Sequence, residues 1–144
     1  MRRRPPVWAL LIVIGYASAL AALLLWPSGI QVRRIHLEIY LFGLQKLGLP
    51  LWVTPEWYAA VGNVIAPAGL SAALTGLDPR SRWLRWAGLV AVACVLAEVG
   101  QLVYLPGRDP EVSDVILNAA GALMGAAGVA MARRRRRAGS GRGR

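Results

Sequence analysis

Polar side chains interrupt three long apolar stretches of this sequence, and they are the residues whose chemistry stands out. Glu98 and Gln101 lie three positions apart in one stretch. Asp114 and Asn118 lie four apart in another, and Asn63 lies in a third. Spacings of three and four place side chains on the same face of a helix. A carboxylate among amides can bind a polar head group, or it can act as a general acid or base.

The composition of the chain indicates whether these polar residues lie in a soluble or a membrane domain. The chain has 144 residues, of which 56% are hydrophobic and 17% charged, and its mean hydropathy is +0.47. Soluble domains carry about a quarter charged residues. The length fits one domain. We therefore predict an all-α fold, an integral membrane bundle.

Four apolar stretches are long enough to cross a bilayer, since about 20 helical residues span its hydrocarbon core. We predict transmembrane helices at residues 7–26, 57–77, 83–105 and 112–132. The first predicted helix follows an arginine-rich N-terminus, as the apolar segment of a signal peptide does. Its uncharged stretch is longer than the apolar segment of a usual signal peptide, so we expect a span that is not cleaved. Residues 1–132 then form one membrane domain, and residues 133–144 form a disordered basic tail in the cytoplasm.

The long connection after the first span is unusually apolar. We predict a helix lying at the membrane surface from about Arg34 to Leu47, closed by Gly48 and Pro50. The alternation of apolar residues from Ile35 onwards also permits a strand.

Basic residues indicate the orientation, because cytoplasmic loops carry the excess of Lys and Arg. With the N-terminus in the cytoplasm, thirteen basic residues lie inside: Arg2, Arg3, Arg4, Arg80, Arg82, Arg85, Arg133, Arg134, Arg135, Arg136, Arg137, Arg142 and Arg144. The four that lie outside are Arg33, Arg34, Lys46 and Arg108. We therefore expect a cell-membrane protein with both termini in the cytoplasm.

The polar residues of the predicted spans fall at one level beneath the outer surface. Counted from the outer ends of the helices, Glu98 lies about 12 Å deep, Gln101 about 7 Å, and Asn63 and Asn118 about 9 Å. Asp114, Arg108 and His36 lie above them. A charge in the bilayer is costly, which favours a functional role for Glu98, whereas asparagines alone can serve as hydrogen-bonding glue between helices. The predicted ligand-binding residues are Asn63, Glu98, Gln101, Arg108, Asp114 and Asn118.

Two groups of motifs resemble those of the VanZ-like family. The run from Asn63 through Pro67 to Gly69 is similar to its N…P.G signature, although the Phe that commonly precedes this proline is replaced here by Val64-Ile65-Ala66. The second half of the family pattern resembles Glu98-x-x-Gln101, then Gly107-Arg108, then Asp114-x-x-x-Asn118-x-x-Gly121. The resemblance implies an integral protein of the bacterial cell envelope. It also implies a link to antibiotic resistance, since the founding member is associated with low-level resistance to the glycopeptide teicoplanin.

Three classes of function stay open at this point. The first is a non-catalytic protein whose outward-facing pocket binds a lipid head group or a lipid-linked or glycopeptide ligand. The second is a membrane-embedded enzyme for a polyprenyl-linked or phospholipid substrate, with Glu98 as general acid or base and Arg108 on a phosphate, or with Glu98, Asp114 and Asn118 around a divalent cation. The third is a small transporter or structural subunit.

The expected partners are membrane lipids. The basic tail interleaves no aromatic residue that could stack on a base, so nucleic acid is not expected. No metal or cofactor motif is present in the sequence, and the one cysteine, Cys94, excludes an intrachain disulfide.

Overall fold

The structure, a computed structural model, describes residues 5–104 and 111–140. Within them the chain folds into helices alone, which confirms the all-α prediction. The helices are α1 (Val7–Leu24), α2 (Gly29–Leu47), α3 (Pro55–Leu77), α4 (Trp83–Tyr104) and α5 (Val112–Ser140).

Four of these helices, α1, α3, α4 and α5, are long and apolar enough to cross a membrane. The prediction of four membrane-spanning helices is thereby confirmed, although the helix ends differ from the predicted bounds. Helix α1 stops two residues short of the predicted Trp26, and α3 starts two residues before the predicted Trp57. The protein is an integral membrane bundle.

The connection after the first span forms helix α2, so the helical alternative was the correct one. It begins at Gly29, five residues before the predicted start, because Ser28 caps it: the Ser28 hydroxyl oxygen accepts a hydrogen bond from the Gln31 backbone N–H at 3.3 Å. Gly48 ends the helix in the left-handed conformation, with φ of 64°, where a side chain would be strained.

Helices α3 and α5 approach one another closely at two glycines. A Cβ atom at Gly121 would overlap the backbone carbonyl of Val64, and one at Gly125 would overlap that of Ala68. Small residues four positions apart permit this kind of contact between membrane helices. Further along α3, the Ser71 hydroxyl donates to the Ala122 carbonyl at 2.7 Å, which fixes the register of α3 against α5.

Helix α4 completes the core, and α1 packs more loosely. Val90 and Cys94 of α4 are buried together with Ala122 of α5. Helix α1 touches α3 and α4, and the Tyr16 hydroxyl donates to the Ala66 carbonyl of α3 at 2.8 Å.

The predicted disordered tail is helical as far as Ser140, so the expectation for residues 133–140 differs from the structure. Ala and Arg are both strong helix formers, and cations are favourable at the C-terminal end of a helix dipole. Arg133 is also anchored, because its guanidinium donates to the Gly76 carbonyl at the end of α3 at 2.7 Å. Residues 141–144 lie outside the described part of the chain.

The turn between α3 and α4 is held by Asp78. Its carboxylate accepts a hydrogen bond from the Ser81 hydroxyl and, at 3.3 Å, from the backbone N–H groups of Arg80 and Ser81. The bond from the Ser81 hydroxyl is the main reason why the pKa of Asp78 lies below its ordinary value. This pattern fixes the end of α3 relative to the start of α4.

We predict that Gly121→Ala lowers the free energy of unfolding by about 1–3 kcal/mol, since α3 and α5 must separate to make room for the methyl group. Gly128→Ala in the same helix is the matched control, because a Cβ there meets nothing within 4 Å. Unfolding in mixed micelles with increasing sodium dodecyl sulfate measures both. Equal stability of the two variants would contradict the close helix contact.

Candidate functional site

A cavity of about 330 Å³ lies where α1 ends and α5 begins, and every helix of the structure contributes to its wall. Its lining residues are Leu20, Leu23, Leu24, Gly29, Val32, Arg33, His36, Tyr58, Ala59, Gly62, Asn63, Ala66, Glu98, Gln101, Glu111, Asp114 and Asn118. We call this the polar cavity.

Five of the six predicted binding residues line the polar cavity: Asn63, Glu98, Gln101, Asp114 and Asn118. The structure therefore brings together the residues that the sequence pattern assigned to one site on three helices. The sixth, Arg108, lies outside the described residues. His36, expected near the mouth, also lines this cavity. That these side chains bind a ligand stays a prediction.

Helix α3 contributes Asn63, one turn before a proline. Pro67 is buried inside the helix and has no N–H, so it cannot donate the usual hydrogen bond to the carbonyl of Asn63. The Asn63 carbonyl therefore lacks its usual donor within the helix, which places a polar backbone group beside the Asn63 side chain. The carbonyl of Ala66, in the same turn, accepts the hydrogen bond from Tyr16.

Helix α4 contributes Glu98 and Gln101, which are both buried, with 7% and 4% of their surface exposed. The Gln101 amide nitrogen donates to the Leu24 carbonyl at 2.8 Å. Because Leu24 is the last residue of α1, this bond ties the α4 side chain to the C-terminal end of α1. Gln101 thereby holds the end of α1 against the wall of the cavity.

Helix α5 contributes Asp114, which is half-buried, and Asn118, which is only 2% exposed. The Asn118 amide nitrogen has no hydrogen-bond partner among the described residues. Buried amide groups in folded proteins are nearly always paired, because an unpaired donor loses its interaction with water and gains nothing. Asn118 thus presents a donor that a bound molecule could use.

Three further polar residues line the cavity and were not among the predicted ones: Arg33, Tyr58 and Glu111. Arg33 precedes His36 by three residues within α2, and this helical spacing could have identified it, whereas Glu111 lies just before the first residue of α5. Tyr58 packs edge-on against Tyr40, with ring centroids 6.4 Å apart. The buried Tyr58 hydroxyl also has no hydrogen-bond partner among the described residues.

The charges around the cavity are mixed. Glu98, Glu111 and Asp114 supply carboxylates, whereas Arg33 supplies a guanidinium and His36 an imidazole. In residues 5–104 and 111–140, no group of three or more His, Cys, Asp and Glu side chains is arranged to hold a metal ion. The cavity therefore offers acceptors for a cation as well as donors for an anion.

The VanZ/LLP1 family model matches residues 9–133. The chain belongs to the VanZ/LLP1 family. The matched range contains every residue that lines the polar cavity and nearly all of the membrane bundle, and it confirms the resemblance to VanZ-like proteins. No curated protein and no solved structure matches the chain closely enough to count as a relative.

Two substitutions in this VanZ/LLP1 protein should differ in their effect on stability, although both replace a cavity amide by Leu. Gln101→Leu removes a formed hydrogen bond and should lower the free energy of unfolding by about 0.6 kcal/mol. Asn118→Leu removes an unpaired buried donor and should leave that free energy unchanged or raise it. Unfolding in mixed micelles measures both. A clear loss of stability in Asn118→Leu would mean that Asn118 is structural glue.

Proposed function

We propose that this VanZ/LLP1 protein is a non-catalytic membrane protein whose polar cavity binds the head group of a lipid, or the equivalent polar part of a glycopeptide antibiotic. The observation that carries the proposal is the buried set of Glu98, Gln101 and Asn118, which meets in one cavity with an unpaired amide donor. Ionisable side chains are expensive inside a membrane and mark functional sites there by default.

The size and composition of the cavity support a head group as the ligand. Its volume of about 330 Å³ lies at the lower end of the range for small-molecule sites. Leu20, Leu23 and Val32 line it beside the charged residues, so one part of the wall is apolar. A lipid has the same division, with a polar head next to its acyl chains.

The charges favour a head group that carries an amine. Three carboxylates line the cavity, and one of them, Glu98, is more than nine-tenths buried, so an ammonium group bound there would interact favourably with them. Arg33 lines the same cavity and offers its guanidinium to a phosphate or carboxylate. Amine-bearing phospholipids and teicoplanin both meet this description.

The proposed orientation places the polar cavity beneath the outer leaflet and both termini in the cytoplasm of a bacterial cell. The excess of arginine in the turn between α3 and α4 and along the last turns of α5 supports it. A protein in this position would alter how a lipid or a glycopeptide is presented at the cell surface, which gives a physical route to reduced teicoplanin susceptibility.

Replacing Glu98 by Gln tests the proposal, because it keeps the shape of the side chain and removes the charge. Calorimetric titration of the purified protein with short-chain phosphatidylethanolamine, and separately with teicoplanin, should show at least one ligand bound by the wild type. Glu98→Gln should weaken that binding about tenfold, the value of a charge-assisted hydrogen bond. Glu38→Gln is the control, since Glu38 is exposed and does not line the cavity.

Equal binding by wild type, Glu98→Gln and Glu38→Gln would rule out the polar cavity as the site. In cells, the double variant Glu98→Ala with Asn118→Ala should lose any teicoplanin tolerance that the wild type confers while staying in the membrane. Retained tolerance at equal protein levels would argue against a role of the cavity in resistance.

An enzymatic role is the second candidate, and the presence of His36 and Glu98 in one cavity favours it. An imidazole and a carboxylate can transfer protons during hydrolysis or group transfer on a lipid-linked substrate. Mass spectrometry of the lipids after incubation separates the two functions: altered lipids that vanish with Glu98→Gln indicate catalysis, and unaltered lipids with measurable binding indicate a binding protein.

A further inference from the structure

A second cavity, of about 320 Å³, lies at the other end of the bundle, between the turn that follows α3 and the last part of α5. We call it the arginine cavity. The residues on which its chemistry depends are Thr75, Ser81, Arg82, Arg133, Arg134 and Arg137. Neither the family match nor the polar cavity gives this site a function.

The arginine cavity is strongly basic. Arg82 of the turn and three arginines of α5 line this cavity. No carboxylate is found among the described residues that line it. The nearest acid in the turn, Asp78, accepts hydrogen bonds from Ser81 and Arg80 and does not line the cavity. Guanidinium groups bind phosphate oxygens through paired hydrogen bonds, so this set of residues matches a phosphate.

One arginine is held in place by the fold. Arg133 donates through one Nη to the Gly76 carbonyl at 2.7 Å, which fixes its side chain over the end of α3. A guanidinium has five N–H groups, so this bond leaves several donors for a ligand. The packing of α5 against the end of α3 therefore holds part of the cavity wall in place, so the cavity is more than a run of arginines in solvent.

Thr75 supplies an independent indication of a ligand. Only 1% of its surface is exposed, and its hydroxyl has no hydrogen-bond partner among the described residues. A threonine inside a helix ordinarily bonds back to a carbonyl of the preceding turn, and a buried hydroxyl without any partner is unfavourable. Thr75 is one of the residues that line the arginine cavity, so a phosphate bound there is a candidate acceptor for its hydroxyl.

We propose that the arginine cavity binds the phosphate of an anionic phospholipid in the leaflet at this end of the bundle. The shared chemistry is a phosphate group, and the cavity's position at the end of membrane helices favours a lipid over a soluble phosphate. A lipid held there would clamp the ends of α3, α4 and α5 together, since each contributes to the wall. The proposal does not depend on what the polar cavity binds.

Native mass spectrometry of the detergent-solubilised protein, titrated with phosphatidylglycerol or with phosphatidylcholine, tests this proposal. We expect one phosphatidylglycerol to bind more tightly than phosphatidylcholine. Arg134→Gln with Arg137→Gln should raise its dissociation constant about tenfold, and Thr75→Val should raise it about fivefold. The matched control is Arg135→Gln with Arg136→Gln, which removes the same charge from the same helix at positions that do not line the cavity.

The outcomes separate the alternatives. Equal weakening by the two double variants, with no effect of Thr75→Val, would overturn the proposal in favour of diffuse attraction between arginines and anionic lipid. Millimolar inorganic phosphate that displaces phosphatidylglycerol, and whose own binding weakens in Thr75→Val, would uphold a phosphate site but overturn the lipid as its occupant. If the arginine variants fail to fold, the comparison of phosphatidylglycerol binding between Thr75→Val and the wild type tests the proposal by itself.

Discussion

The close contact between α3 and α5 is the constraint on which the rest of the structure depends. Gly121 and Gly125 lie directly against the backbone of Val64 and Ala68, and no side chain fits between them. Because the contact is made by backbone atoms, it leaves little freedom in the distance or register of the two helices. Asn63 and Asn118 stand next to this crossing, one residue and three residues away from the atoms in contact. The same crossing therefore brings two amides from different helices into the wall of one cavity.

This arrangement divides the bundle into two ends with different chemistry and an apolar middle. The polar cavity holds the carboxylates of Glu98, Glu111 and Asp114, and the arginine cavity holds only cations among its described charged residues. Between them the core consists of small and medium apolar side chains such as Val90, Cys94 and Ala122. Without a hydrophobic driving force between helices in lipid, close packing and a few hydrogen bonds hold the bundle together. The ionisable side chains at its two ends are costly to bury, which is why ligand sites are proposed there.

Much of the fold could be predicted from the sequence because long apolar runs in a membrane have few alternatives to helix. The convergence of Glu98, Gln101, Asp114 and Asn118 was also predictable, since their spacings of three and four residues define helix faces. The helical course of residues 133–140 was not, because composition alone cannot show that Arg133 finds an anchor at the Gly76 carbonyl, 57 residues earlier. The partner of Gln101, a backbone carbonyl 77 residues away, depends in the same way on the tertiary packing of α1.

The most direct test of the proposal that Glu98 faces a cavity open to the outside, and not the acyl chains, is thiol labelling in intact cells. In a Cys94→Ala background, Glu98→Cys should react with a membrane-impermeant maleimide. Val99→Cys should not react, although Val99 is 50% exposed in the isolated bundle and lies one residue nearer the end of α4, because its side chain would face lipid. Labelling of Val99→Cys without Glu98→Cys, or labelling of Glu98→Cys only after the cells are permeabilised, would contradict the account.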